Sequence, residues 1–465
     1  MYLKIAKFFL YASLFSVLIV APTLYFPYIV GKAVFFRVAI DLAIIAFALY
    51  WGWEKDGKKA KPENEGVKKI GWLKRLAIEQ PLVLAVSAFA IAFVLSCIFG
   101  INPWFSFWSN FERGEGGFQI LHYTALFLLA AAIFKKELDW SRAFNVMIWI
   151  SLAVVAYGMA AAFKLPFFIG PAGLLSRLSG TLGNADYAGT FMIFSIFYAL
   201  FLISKKDVLA WVKWLLGICV AIFFGFMLLT QTRGAIVGLG AAIFAFLIYL
   251  AFKAPRKSLL RKWSQIVLAV FIVLAALFFG AQKYVDKIQN CSICDRYLHI
   301  SVTATTFKTR FWAWQEAIDG WKNRPVFGWG PEEYSAVFDK HFNTSYYDPT
   351  VQSSETWFDR AHSVYFDYLA ETGAVGLLAF LGVFAVFFSQ FFKRFGGRKI
   401  AHHEGERQRE ITHPLSVVQQ GLLLAMPVAY LVQGIVLFDV LPTYINIMLF
   451  LAFANYQFRK YGPRS

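Results

Sequence analysis

The chain has 465 residues, of which 59% are hydrophobic and only 16% charged, with a mean hydropathy of +0.56 and a formal net charge of +17. Soluble globular proteins carry about 25% charged residues, so a water-soluble domain is excluded. Apolar runs of about 18 residues or more recur along the chain, continuous rather than alternating, which fits membrane-spanning helices and excludes a β-barrel.

About twelve spans are predicted, at 8–30, 34–53, 80–99, 118–134, 143–163, 187–204, 209–230, 234–252, 264–280, 374–392, 415–436 and 440–457. The first comes after Lys4 and Lys7 and looks like a signal peptide. It is too long and lacks a small-x-small cleavage site, so it is expected to remain as the first helix. The cations then sort the loops. Loop 54–78, loop 135–142, Lys205 and Lys206, loop 253–263, loop 393–413 and the C-terminus are basic. Every second connection is therefore expected to be cytoplasmic, together with both termini. The same distribution accounts for the positive charge without nucleic acid, which is not expected as a partner.

The expected fold is all-α. It is a polytopic membrane helix bundle of about twelve transmembrane helices, with a helical extracytoplasmic domain between helices nine and ten. The chain divides into three parts: an N-terminal bundle over 1–280, a large outer loop over 281–373, and C-terminal transmembrane helices over 374–465. The outer loop is too long for a plain connection and too aromatic for disorder. Phe307, Phe311, Trp314, Ile318 and Trp321 recur at helical spacing, which predicts an amphipathic helix on the membrane surface or the bundle mouth. Further helices are expected from about Glu332, after the GWGP turn, and from about Arg360. Cys291 and Cys294 form a CSIC pair in this loop, where a local disulfide is plausible. Cys97 and Cys219 lie in apolar runs and read as buried thiols.

The outer loops share a set of polar residues. FWSNFERGEGG supplies Glu112 and Arg113, SRLSGTLGNADYAG supplies Arg177, Asn184 and Asp186, and QTRGA supplies Arg233. The large loop supplies Arg310, Asp359, Arg360 and His362. Arg233 sits between two strongly apolar helices with almost no loop around it, and a charge at membrane depth is costly and usually functional. His362 ends the polar interval and has a side chain that titrates near neutral pH, which suits a general base. No Walker loop, HExxH motif or DxD pair occurs, and no metal or cofactor is expected. Guanidinium forks suit pyrophosphate through bidentate, charge-assisted bonds. Trp312, Trp314, Trp329 and Tyr334 suit either stacking on sugar rings or an interfacial aromatic belt.

These motifs, in this order, resemble the O-antigen ligase / O-antigen polymerase family of bacterial glycan assembly. FWSNFERGEGG, RLSGTLGNADYAG, LLTQTRGAIVGL and the stretch from Arg310 through NRPVFGWGPEEY to AHSVYFDYLAETGAVGL carry the resemblance. One departure is Ser363 after the histidine, where that family often has Asn. The resemblance implies a multi-pass protein of the cytoplasmic membrane that moves a glycan from an undecaprenyl-pyrophosphate donor to an outer-leaflet acceptor. That acceptor would be lipid A core, a growing glycan or a protein. It implies that Arg177 and Arg233 hold the pyrophosphate and that His362 assists the acceptor or positions the donor, with Arg310 and Arg113 as secondary contacts. Glu112, Asn184 and Arg360 complete the expected substrate-binding set. Polymerases and protein glycosyltransferases share these motifs. A transporter of envelope lipid or anion is the rival class, disfavoured by the absence of an internal repeat and by polar residues gathered at one side.

Overall fold

The structure, a computed structural model, describes residues 1–55, 80–110, 113–285, 305–346, 357–396 and 415–460. Glu112, Cys291 and Cys294 lie outside the described residues. The described residues are helical, with no strand among them. The α-helices are α1 Tyr2–Leu14, α2 Val30–Leu49, α3 Pro81–Phe99, α4 Pro103–Trp108, α5 Gly117–Ile133, α6 Glu137–Ala162, α7 Ala185–Ile203, α8 Ala210–Leu229, α9 Arg233–Lys253, α10 Leu259–Val285, α11 Thr305–Asn323, α12 Tyr334–His341, α13 Val364–Phe395, α14 Val417–Gln433 and α15 Leu441–Lys460.

Eight described helices are long and apolar enough to cross a membrane, and α5 and α14 are shorter apolar helices. The first expected span is corrected. Rather than running 8–30, helix covers Tyr2–Leu14 and passes into a 3-10 turn at Phe15–Leu18. Pro22 and Pro27 interrupt the chain beyond that turn, because proline has no N–H to continue a helical ladder. The helix expected from about Arg360 begins at Val364 and continues, past a break at Gly373, into the tenth expected span.

The bundle is organised around α7 and α15, both buried along most of their length. Phe144, Phe197, Phe201, Phe450 and Phe453 interlock edge to face between α6, α7 and α15. The Tyr198 hydroxyl donates to Asn446 Oδ1 at 2.8 Å across the same interface, a polar tie in an apolar setting. The charged helix ends gather at one side. Lys7 pairs with Asp139 at 2.7 Å, Lys460 pairs with Glu137 at 2.8 Å, and Lys253 donates to the Gly396 carbonyl.

α13 is broken at Gly373, whose φ is 64° and ψ is −166°. The break frees carbonyls that a continuous helix would use, and segment 325–330 occupies them. Trp329 N–H donates to Ala370 O at 3.0 Å and Gly330 N–H to Glu371 O at 2.8 Å. In return Ala374 and Val375 donate to Pro325 O and Val326 O at 2.9 and 3.1 Å. A Cβ on Gly373 would lie 2.4 Å from Val326 O, so only glycine fits.

α11 and α12 form a second, smaller core with Trp329, Tyr334, Val337, Phe338, Tyr346 and Phe358. α11 packs on α13 and α12, hence over the end of the bundle. Its buried face is not the aromatic stripe expected from spacing. Ala313, Glu316, Ala317 and Gly320 face inward, and Phe311 is 57% exposed. Of the five expected residues, Trp314 reaches the bundle side, stacking on Phe366 at 5.1 Å.

Gly373→Ala is expected to destabilise the protein by about 2 kcal/mol or more, since it adds both a left-handed φ penalty and a clash. A thermal melt in detergent checks this, with an unchanged midpoint counting against the role given to the break.

Candidate functional site

The helix ends opposite the basic side enclose a cavity of about 410 Å³. α7 contributes Asn184 and Asp186, and the loop before it contributes Arg177. The α8–α9 turn contributes Gln231, Thr232 and Arg233. α11 contributes Thr309 and Arg310, the extended approach to α13 contributes Phe358 and His362, and the α14–α15 connection closes the wall with Gln433, Val436 and Leu437.

Local sequence explains why these side chains converge. Asn184 caps α7, its Oδ1 accepting from Asp186 N–H at 2.7 Å. Thr232 sits at the N-cap position of α9 and Arg233 is its first residue. Two helix N-termini thus face one cavity, and the amide ends of helices favour anions. Leu178 N–H donates to Leu229 O at 3.2 Å and Gln231 Nε2 to Leu175 O at 2.8 Å, which sews the Arg177 loop to the α8–α9 turn. Arg177, Gln231 and His362 have φ of 59°, 52° and 56°. Left-handed backbone costs such residues about 1–3 kcal/mol each and collects at functional sites.

Among the described residues the cavity lining is cationic: three arginines and one carboxylate. Asp186 Oδ1 lies 2.6 Å from Arg177 Nη2 and accepts from Thr232 Oγ1 at 3.1 Å. Arg177 Nε is buried with no hydrogen-bond acceptor among the described residues. Burial, reinforced by Arg310, pushes the His362 imidazole down to about 4. It is therefore neutral at pH 7. Its Nδ1 lies 3.1 Å from Arg360 O. A carbonyl only accepts, so Nδ1 carries the proton and Nε2 keeps its lone pair. Phe358 and Phe438 pack edge-on against the ring at 5.2 and 5.5 Å.

Of the expected residues, Arg177, Asn184, Arg233, Arg310 and His362 line this cavity, while Arg113 and Arg360 do not. Those two border a separate pocket of about 30 Å³ and flank the Phe438 ring at 5.4 and 5.8 Å. Arg113 Nε donates to Asp359 Oδ2 at 2.6 Å and Nη1 donates to the Tyr187 hydroxyl at 3.3 Å. Although burial opposes it, the Arg113 hydrogen bond holds Asp359 below the usual carboxylate range. Burial raises Glu115 to about 8 and Asp439 to about 7 in the same pocket. Gln433 escapes sequence reasoning because it closes an apolar helix; its one signal is a polar side chain in the last turn, before Gly434. Its Nε2 donates to Thr190 Oγ1 while Oε1 is buried without a donor.

A polytopic helical membrane protein with a cationic, histidine-bearing cavity at one end of its bundle is what fold and site together define. Residues 218–381 match the family model described as O-antigen ligase, a likeness over about a third of the chain. The match contains Arg233, Arg310, Arg360 and His362; Arg113, Arg177 and Asn184 precede it. It supports an O-antigen ligase- or polymerase-like membrane glycosyltransferase. No curated protein matches the sequence.

The depressed imidazole has a consequence for stability. An unfolded histidine titrates near 6.5. Between that value and about 4 the unfolded state binds a proton that the folded state refuses, so this group's contribution falls as pH drops through the window. The loss of melting temperature between pH 7 and 5 should accordingly be smaller in His362→Gln than in the unchanged protein. Parallel pH-dependent curves for the two would contradict the depressed value.

Proposed function

We propose that the protein transfers a glycan from a polyprenyl-pyrophosphate donor to an acceptor hydroxyl at the outer face of the cytoplasmic membrane. The observation that carries this reading is the meeting of Arg177, Arg233 and Arg310 with a neutral His362 in one cavity. The basic residues at the opposite helix ends support the outward orientation of this cavity, with both termini in the cytoplasm.

The pyrophosphate sits among the guanidinium groups and the two helix N-termini, where bidentate donors match its oxygens. The acceptor hydroxyl gives its proton to His362 Nε2 as its oxygen attacks the anomeric carbon. The bond from that carbon to the phosphate oxygen breaks, and the electron pair leaves with the lipid pyrophosphate. Charge grows on this leaving group, so the arginines stabilise the transition state more than the bound donor. The bound anion offsets the Arg310 field and burial, raising the proton affinity of His362 when it is needed. A single displacement inverts the anomeric centre.

Ligase, polymerase and protein oligosaccharyltransferase activities use this same chemistry and differ in the acceptor. Purified protein given one defined lipid-linked oligosaccharide and each acceptor class in turn, with products identified by mass, separates them. Arg233→Ala and His362→Ala are expected to insert normally and to lose at least about 100-fold in transfer rate. Wild-type transfer in both variants would remove the basis for this function, and substrate translocation without transfer would favour a transporter.

A further inference from the structure

Arg360 is two residues from His362, but its side chain turns away from the cavity. The guanidinium is buried between two carboxylates. Nη1 donates to both Glu371 oxygens at 3.0 and 3.1 Å, and Nη2 donates to Glu332 Oε1. Glu332 comes from the GWGPEE motif, delivered there because segment 325–330 fills the break in α13. Glu371 lies on α13 at that break. The backbone carbonyl of Arg360 meanwhile accepts from His362 Nδ1.

The rest of the loop is fixed on the other side. Ala361 N–H donates to Asp367 Oδ1 at 2.6 Å, and Val364 N–H reaches the Gly434 and Leu437 carbonyls at 2.9 and 3.0 Å. Between these anchors His362 is held at positive φ, as is Glu332 at 70°. Buried ion triads are seldom favoured for stability, since apolar replacements often do as well or better. A triad retained together with two strained residues points to geometry rather than to stability.

We propose that Glu332, Arg360 and Glu371 are positioning residues for His362. The two carboxylates fix the Arg360 side chain, its carbonyl selects the Nδ1–H tautomer, and Nε2 is thereby aimed at the acceptor. The inference rests on the transfer reaction proposed for His362. It also replaces the substrate contact expected of Arg360, whose guanidinium has no face on the large cavity.

Glu332→Gln tests this, with Glu371→Gln as a second variant if the first fails to insert. Two readouts are taken on intact protein in detergent. Solid-state nitrogen spectra of histidine-labelled protein, assigned by difference from His362→Ala, report the tautomer. Kinetics with a defined polyprenyl-pyrophosphate oligosaccharide report kcat and donor KM. The expected result is one Nδ1–H tautomer in the unchanged protein and a mixture in Glu332→Gln. With it kcat falls about 10- to 100-fold, as for a misaimed catalytic group, while donor KM moves less than about 2-fold. An unchanged tautomer, or a loss confined to donor KM, overturns the positioning role. If His362→Ala transfers at the full rate while the tautomer does respond, the role of His362 in transfer fails and the positioning geometry stands.

Discussion

The break in α13 at Gly373 is the constraint from which the site is built. A continuous helix would consume the carbonyls of Ala370 and Glu371 in its own ladder. Broken there, the helix offers them to Trp329 and Gly330. That pairing docks the segment whose next residues include Glu332, and Glu332 meets Arg360. A glycine with no side chain thus determines where a histidine earlier in the chain is held, through backbone bonds and one ion triad.

The arginines divide by the space they face. Arg113 and Arg360 are paired with carboxylates inside the protein and border a pocket of about 30 Å³. Both hold parts of the structure against Phe438 and the His362 loop. The arginines of the large cavity face a volume more than ten times greater, where Asp186 is the carboxylate among the described lining residues. Sequence position alone does not distinguish these two uses, because both sets lie in short polar stretches beside apolar helices.

Much of the fold was legible because membrane helices announce themselves by continuous hydropathy. The expected spans after the first correspond in order to α2, α3, α5–α10, α13, α14 and α15, with shifted ends. α15 is not among the described helices apolar enough to cross a membrane, in keeping with its buried Asn446, Asn455 and Gln457. The first helix was overextended because apolar residues continue past Pro22, and hydropathy does not register a missing N–H. For α11 the periodicity of large aromatics does not mark the face packed on α13: close packing there uses Ala313, Ala317 and Gly320, which carry little hydropathy signal. Arg177, Arg233, Arg310 and His362 stood out as isolated charges or titratable groups next to spans. Glu332 did not, since its role depends on a helix break and a partner 28 residues away.

Asp186 gives the cavity a property that a bare cluster of arginines would lack. It already satisfies one fork of Arg177 and anchors the N-cap hydroxyl of α9. Under the proposed function, an arriving phosphate would enter by exchange, taking over donors from a resident carboxylate that stays nearby and repels it. For the proposed donor the cavity would in effect be buffered: Asp186 would remain a built-in competitor for the same donors, which would help the spent lipid pyrophosphate to leave.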